Sequence, residues 1–129
     1  MAQAKNILII DDDPDFIEVV KKNLEKEGFK VESALDGIQG MEKIKKNPPD
    51  AVILDVMMPG RDGYEVCADL KADPKYASIP VILLTAVASH VPSTRYTHYN
   101  GMSMEADDYF PKPASAEQIL KSIKRLLDL

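Results

Sequence analysis

The stretch NILIIDDDPDF, residues 6–16, joins four consecutive aliphatic residues to three consecutive aspartates. Residues 7–10 are typical of a strand buried on both faces, because no polar residue alternates with the apolar ones. The carboxylates of Asp11, Asp12 and Asp13 then crowd together where that strand ends. Like charges this close repel, and a buried carboxylate without a partner is costly. The sequence therefore predicts that some other group compensates for this negative charge.

Further apolar runs alternate with helical patterns along the rest of the chain. Two strong strand candidates and two weaker ones follow the first, at residues 51–54, 81–84, 29–33 and 108–110. Caps and apolar spacing predict helices between the strands, over residues 14–27, 36–46, 64–72 and 115–127. This alternation predicts an α/β fold with a parallel sheet and right-handed crossovers.

One stretch, VASHVPSTRYTHYNGMSME at residues 87–105, fits this pattern poorly. Pro92 and Asn100-Gly101 interrupt it, and its apolar spacing suits no single helix. We expect a short helix there with an extended loop beside it.

The composition limits the possible classes of function. A length of 129 residues suggests one domain over residues 1–129. The net charge of −5 argues against a general surface for nucleic acid or anionic membranes. No apolar run approaches the length of a membrane span, so no membrane insertion is expected. Cys67 is the only cysteine, which excludes an internal disulfide and fits a reducing cytoplasm.

Polar residues follow several of the predicted strands at the point where each strand ends. The first strand leads into Asp11 and Asp12, the next two buried runs into Asp55 and Thr85, and the last strand into Lys112. In a doubly wound sheet, ligands bind beyond these carboxyl ends. Clustered carboxylate oxygens suit a hard cation such as Mg²⁺. A lysine, a hydroxyl and a cation around one aspartate are also what phosphoryl transfer requires.

Each of these residues also has a simpler interpretation. Asp13 is most simply the N-cap of the helix that Pro14 begins. The other acids could be solvated turn residues, Lys112 a surface lysine and Thr85 an ordinary strand residue. Their joint placement at successive strand ends favours a site.

The segments ILIIDDD, PDAVILDVMMPGRDGYEV, IPVILLTA and ADDYFPKPAS, taken in this order, cover essentially the whole chain. Together they resemble the receiver domain of bacterial two-component response regulators, the chemotaxis-protein-like fold. The resemblance implies a doubly wound, flavodoxin-like parallel sheet of five strands in the order 2-1-3-4-5, with helices on both faces.

The resemblance also assigns residues to phosphoryl transfer. Asp55 matches the phosphoacceptor. Asp11 and Asp12 match the acidic pair that holds Mg²⁺, with Asp12 as the direct ligand, and the main-chain carbonyl of Met57 matches the third protein ligand. Lys112 matches the lysine that contacts the phosphoryl group.

Two further matches concern the switch. Thr85 matches the hydroxyl residue that turns toward the phosphate, and Tyr109 matches the aromatic residue whose rotamer follows it. Lys112-Pro113 matches a dipeptide whose peptide bond is usually cis. Met57 and Val87 match the positions that flank the path of attacking water, and because both are apolar we expect slow loss of the phosphoryl group.

The chain departs from the family between Thr85 and Lys112, which are further apart than is usual. The extra length falls around SHVPSTRYTHYNG, where Arg95, Tyr96 and Tyr99 offer a cation and two aromatic rings. We expect residues 89–104 to form a mobile partner surface that responds to phosphorylation.

These observations predict a phosphorylation switch rather than an enzyme. A histidine kinase or histidine phosphotransfer protein would donate a phosphoryl group to Asp55 with Mg²⁺ bound, and the domain would assist its own phosphorylation and dephosphorylation. A changed surface would then signal to a downstream protein, with the chain either a stand-alone receiver or a piece ending at its last helix.

Two alternatives remain open. A haloacid-dehalogenase-like phosphatase would use the Asp-x-Asp of Asp11 to Asp13, but Asp55 would then have no role. A receiver-like binding module that works without phosphorylation would not need the complete set of site residues.

Overall fold

The computed structural model describes residues 4–58, 62–85, 106–112 and 114–129. The predictions for residues 87–105 and for Pro113 lie outside these ranges. Within them, five parallel strands form one sheet in the order β2-β1-β3-β4-β5. The strands are β1 (Asn6–Ile10), β2 (Lys30–Ala34), β3 (Ala51–Asp55), β4 (Val81–Thr85) and β5 (Asp108–Pro111). The predicted sheet and its strand order are confirmed.

The described residues also form four helices, each begun by a polar N-cap. They are α1 (Pro14–Lys26), α2 (Gly37–Lys46), α3 (Gly63–Ala72) and α4 (Ala116–Leu126). The side chain of Asp13 accepts from the backbone at the start of α1, as predicted. Ser115 and Gln118 form a reciprocal capping box at α4. After α1 the chain turns at Gly28, whose φ of 92° lies in the left-handed region that glycine adopts without strain.

The three central strands lack polar alternation because helices cover both faces of the sheet. Leu8 and Ile10 of β1 join the core beneath α2 and α3, whereas Ile7 and Ile9 join the core beneath α1 and α4. All four side chains are at most 3% exposed. Edge strand β2 instead buries only Val31 and Ala34 of its five residues. No helix in the described ranges has the length and apolar character needed to cross a bilayer.

A nearly buried lysine on α3 holds the chain segments that lead into β4 and β5. The Lys71 side chain on α3 is 9% exposed. Its Nζ donates to the carbonyls of Ala77 and Ile79, at 3.1 and 2.8 Å, and to Oδ2 of Asp107 at 3.0 Å. The same Asp107 oxygen accepts from the backbone N–H of Val81 at 2.8 Å. One ammonium group therefore ties α3 to the loop before β4 and to the residue before β5.

Candidate functional site

The acidic residues meet because β1 and β3 are parallel neighbours, with Ile10 opposite Leu54 in the register. Asp11 directly follows β1 and Asp55 is the last residue of β3, so both carboxylates lie at the same edge of the sheet. Asp11 is 0% and Asp55 1% exposed, whereas Asp12 is exposed. One carboxylate oxygen from each of the three lies within 4.8 Å of the others.

Each buried carboxylate uses one oxygen to hold the loop that follows it. Oδ1 of Asp11 accepts from the backbone N–H of Asp13 at 2.9 Å, and Oδ1 of Asp55 accepts from that of Met57 at 3.2 Å. Such bonds to the residue two positions on are typical of aspartate-led turns. The second oxygen of each carboxylate is thereby left facing the site.

Lys112 supplies the positive charge that the sequence demands. Its Nζ lies 3.1 Å from Oδ2 of Asp11 and 3.4 Å from Oδ2 of Asp55, and its side chain is 27% exposed. Despite this ion pair, Oδ2 of Asp11 accepts no hydrogen bond of good geometry from the described residues. One ammonium group is shared between two buried carboxylates, with the third acid of the cluster close by.

The pKa values of Asp55 and Lys112 reflect burial and the charges that meet at this site. Burial raises the pKa of Asp55 to about 6, the negative charge of Asp11 pushes it the same way, and Lys112 only partly opposes them. Burial works against the charge of Lys112, but both carboxylates outweigh it and hold the pKa of that lysine above its usual value. A divalent cation among these oxygens would relieve the repulsion, so the donor set fits Mg²⁺.

The backbone of β4 and β5 places Lys112 at the acidic edge. Thr85 pairs with Pro111 in the sheet register, and its carbonyl accepts from the backbone N–H of Lys112 at 2.8 Å. The Thr85 hydroxyl donates to the carbonyl of Phe110 at 3.5 Å, which is a long and weak bond. Tyr109 packs instead against the core under α2 and α3, where burial raises its pKa to about 12. The two predicted switch residues thus lie on adjacent strands, Thr85 at the end of β4 and Tyr109 opposite Leu83 with its side chain against the core.

Two contributors to this arrangement were not predicted from the sequence. The Lys112 ammonium lies 5.3 Å from the centre of the Phe16 ring. At Gly63, a Cβ atom would sit 2.8 Å from Cα of Val56 and closer still to the Asp55 carbonyl oxygen. The first turn of α3 therefore packs directly against the chain that carries Asp55. The only sequence signal for this is the small residue after the N-cap Asp62.

Comparison with known proteins identifies the family. The family model for the response regulator receiver domain matches residues 7–124 of this chain. The chain belongs to the response regulator receiver domain family. Receiver domains are the phosphoacceptor switches of two-component systems, and nothing in the comparisons supports the phosphatase or the phosphorylation-independent alternative.

Individual relatives agree with this assignment. The chain is 40% identical over 121 residues to the DNA-binding dual master transcriptional regulator RpaA of Synechocystis, covering 94% of this chain and 48% of that protein. It thus spans about half the length of this curated relative. Among solved structures, a response regulator from Chloroflexus aurantiacus superposes with a TM-score of 0.84 at 31% identity, covering 98% of this chain and 100% of the other.

A second solved structure extends the comparison to a different kind of protein. The receiver domain of a signal transduction histidine kinase from Syntrophus aciditrophicus superposes with a TM-score of 0.85 at 35% identity, covering 97% of this chain and 91% of the other. Receiver domains similar to this chain therefore occur both in a transcriptional regulator and in a histidine kinase.

Proposed function

We propose that this receiver domain takes up a phosphoryl group on the side chain of Asp55. One observation carries the proposal: the buried Asp55 carboxylate lies 3.4 Å from the Lys112 ammonium and within the cluster formed with Asp11 and Asp12. A carboxylate nucleophile beside a lysine and two further acids is what aspartyl phosphate formation requires.

The residues divide the chemistry among them. An oxygen of Asp55 forms the new bond to phosphorus while the bond from phosphorus to the donor's histidine nitrogen breaks. Lys112 neutralises charge on the transferred phosphoryl oxygens. Asp11, Asp12 and Asp55, with the main-chain carbonyl of Met57, would hold Mg²⁺, which when bound supplies positive charge to the same oxygens. In this way the domain assists its own phosphorylation and the later hydrolysis of the acyl phosphate.

The switch is proposed to begin at Thr85. Its hydroxyl makes only a 3.5 Å bond to the Phe110 carbonyl, so little is lost when it turns toward a phosphoryl group. Tyr109 lies on the neighbouring strand, opposite Leu83 in the register, and its rotamer is proposed to follow that movement. Residues 89–104, which lie between these two positions in the sequence, remain our proposed partner surface.

The partners are proposed from the chemistry of the site. A histidine kinase or histidine phosphotransfer protein is the donor, and a downstream protein reads the altered surface. RpaA is described as DNA-binding. Residues 1–129 of this chain carry a net charge of −5, which disfavours binding to nucleic acid. We therefore propose that these residues form one receiver domain that does not contact nucleic acid directly. A cytoplasmic location fits a chain with a single cysteine.

The test is labelling with acetyl phosphate, followed by intact-mass measurement. The wild-type protein should gain one phosphoryl group in the presence of Mg²⁺, and EDTA should prevent the gain. Asp55→Asn should abolish it, whereas Asp128→Asn, which removes an acid distant in sequence at the end of the chain, should not. Labelling that persists in Asp55→Asn but disappears in Asp11→Asn would overturn the proposal and favour the phosphatase alternative.

A further inference from the structure

The Lys112 ammonium depends on its surroundings for its position. The residue lies just beyond the end of edge strand β5, and a lysine side chain is a flexible four-carbon stem with a compact charge at its tip. The two carboxylates at 3.1 and 3.4 Å attract this charge, but attraction alone does not select one rotamer. A third neighbour, the Phe16 ring, lies 5.3 Å away on the first turn of α1.

Phe16 is held in place by the same loop that holds Asp11. The backbone N–H of Asp13 donates to Oδ1 of Asp11 at 2.9 Å. The side chain of Asp13 in turn accepts from the backbone N–H groups of Asp15 and Phe16, at 3.0 and 3.3 Å. The Phe16 ring approaches Lys112, which returns to Asp11 through the ion pair. These contacts join Asp11, Asp13, Phe16 and Lys112 in a closed ring. They therefore fix the position of the first turn of α1 relative to residues 11–13.

The ring has two physical effects on the lysine. A cation within about 6 Å of an aromatic ring centre is attracted by the negative face of the ring. The ring is half-buried and packs against the core beneath α1 and α4, so it also presents a rigid apolar wall to the lysine stem. Both effects favour the rotamer that directs the ammonium toward the acidic cluster.

We propose that Phe16 is a positioning residue for Lys112, holding the ammonium where it meets the incoming phosphoryl group. This inference rests on the proposed function, in which Lys112 contacts that group. In this proposal Phe16 contacts neither the phosphoryl group nor Mg²⁺ and acts only through Lys112. A leucine or methionine at this position would fill comparable apolar space but would offer no aromatic face.

The test compares the rate constant for phosphorylation by acetyl phosphate among variants at this position. Phe16→Leu and Phe16→Met should each lower the rate constant about threefold to tenfold, the range expected for losing a partly desolvated cation–π contact. Phe16→Tyr, which keeps the ring, should restore it. Thermal unfolding followed by circular dichroism identifies any variant that fails to fold, and either apolar variant alone suffices for the comparison with Phe16→Tyr.

A double-mutant cycle separates positioning of Lys112 from a general structural role. In a Lys112→Met background, Phe16→Leu should cause no further loss of rate, because the group it acts through is gone. Equal losses in both backgrounds, or wild-type rates in both apolar variants, would overturn the inference. Failure of the proposed function itself looks different, because the wild-type protein would then take up no phosphoryl group on Asp55.

Discussion

Replacing Asp55 by asparagine should stabilise the metal-free fold at neutral pH. The wild-type carboxylate is 1% exposed, lies beside Asp11 and shares the Lys112 ammonium with it. Its ionisation is therefore disfavoured in the folded state, and asparagine imitates the protonated acid in size and shape. The substitution should relieve repulsion at the cost of the proposed phosphoacceptor.

The pKa sets the magnitude and sign of this effect. A pKa raised from 3.8 to about 6 means that the folded protein binds more protons than the unfolded chain between these values. The free energy of unfolding then falls as the pH rises through this window, by about 3 kcal/mol in total. Above about pH 6 the penalty is complete, and below about pH 4 it vanishes.

The assay is urea unfolding in EDTA at several pH values, comparing the wild-type protein with Asp55→Asn. The variant should be more stable by about 1–3 kcal/mol near pH 7.5, with the difference shrinking toward zero near pH 4. Adding Mg²⁺ should stabilise the wild-type protein more than the variant, because the variant has lost a carboxylate ligand. A variant that is less stable than wild type at neutral pH without metal would refute the reasoning.

Three further predictions concern the surroundings of the site. Lys71→Met should lower the free energy of unfolding by about 2–4 kcal/mol, since it removes the donor to two carbonyls and the cation beside Asp107, whereas the exposed control Lys22→Met should have little effect. Met57→Asn should shorten the lifetime of the phosphorylated state, measured by loss of label, because asparagine can orient a water where the 60% exposed methionine cannot. Amide hydrogen exchange with beryllofluoride, a mimic of the phosphoryl group, should change more in residues 89–104 than in α4.

Each of these predictions has a contrary outcome. Equal effects of the two lysine substitutions on urea unfolding would mean that the Lys71 contacts contribute nothing beyond a surface ion pair. An unchanged or longer phosphoryl lifetime in Met57→Asn would remove the proposed reason for slow hydrolysis. Protection of residues 89–104 at the level of the core, with no response to beryllofluoride, would place the signalling surface elsewhere.

The elements that could be predicted from the sequence are those that a local pattern determines. Residues 7–10 have no polar alternation because both faces of β1 are covered, and the caps at Asp13 and Ser115 mark where helices begin. The predicted second strand started one residue early, because Phe29 is buried against the core just before β2 begins. The strand order came from the family resemblance, since apolar runs alone do not specify which strands are neighbours.

Contacts that depend on the relative placement of distant elements could not be predicted. The approach of Phe16 to Lys112 requires α1 and β5 to be placed against the same end of the sheet, and residues so far apart in sequence carry no local signal of it. The tight packing of Gly63 behind Asp55 is similar, because one small residue is compatible with many backbone geometries. The acidic cluster could be predicted from the sequence only because the carboxyl ends of parallel strands lie at the same edge of a sheet.

The most direct test of the central proposal is to trap the phosphorylated residue chemically. Borohydride reduces an aspartyl phosphate to homoserine, and peptide mass spectrometry then locates the altered residue. After treatment with acetyl phosphate and Mg²⁺, we expect homoserine at position 55 and at no other aspartate. Homoserine at position 11 or 12, or a phosphorylated protein with no homoserine at all, would contradict the assignment of Asp55 as the phosphoacceptor.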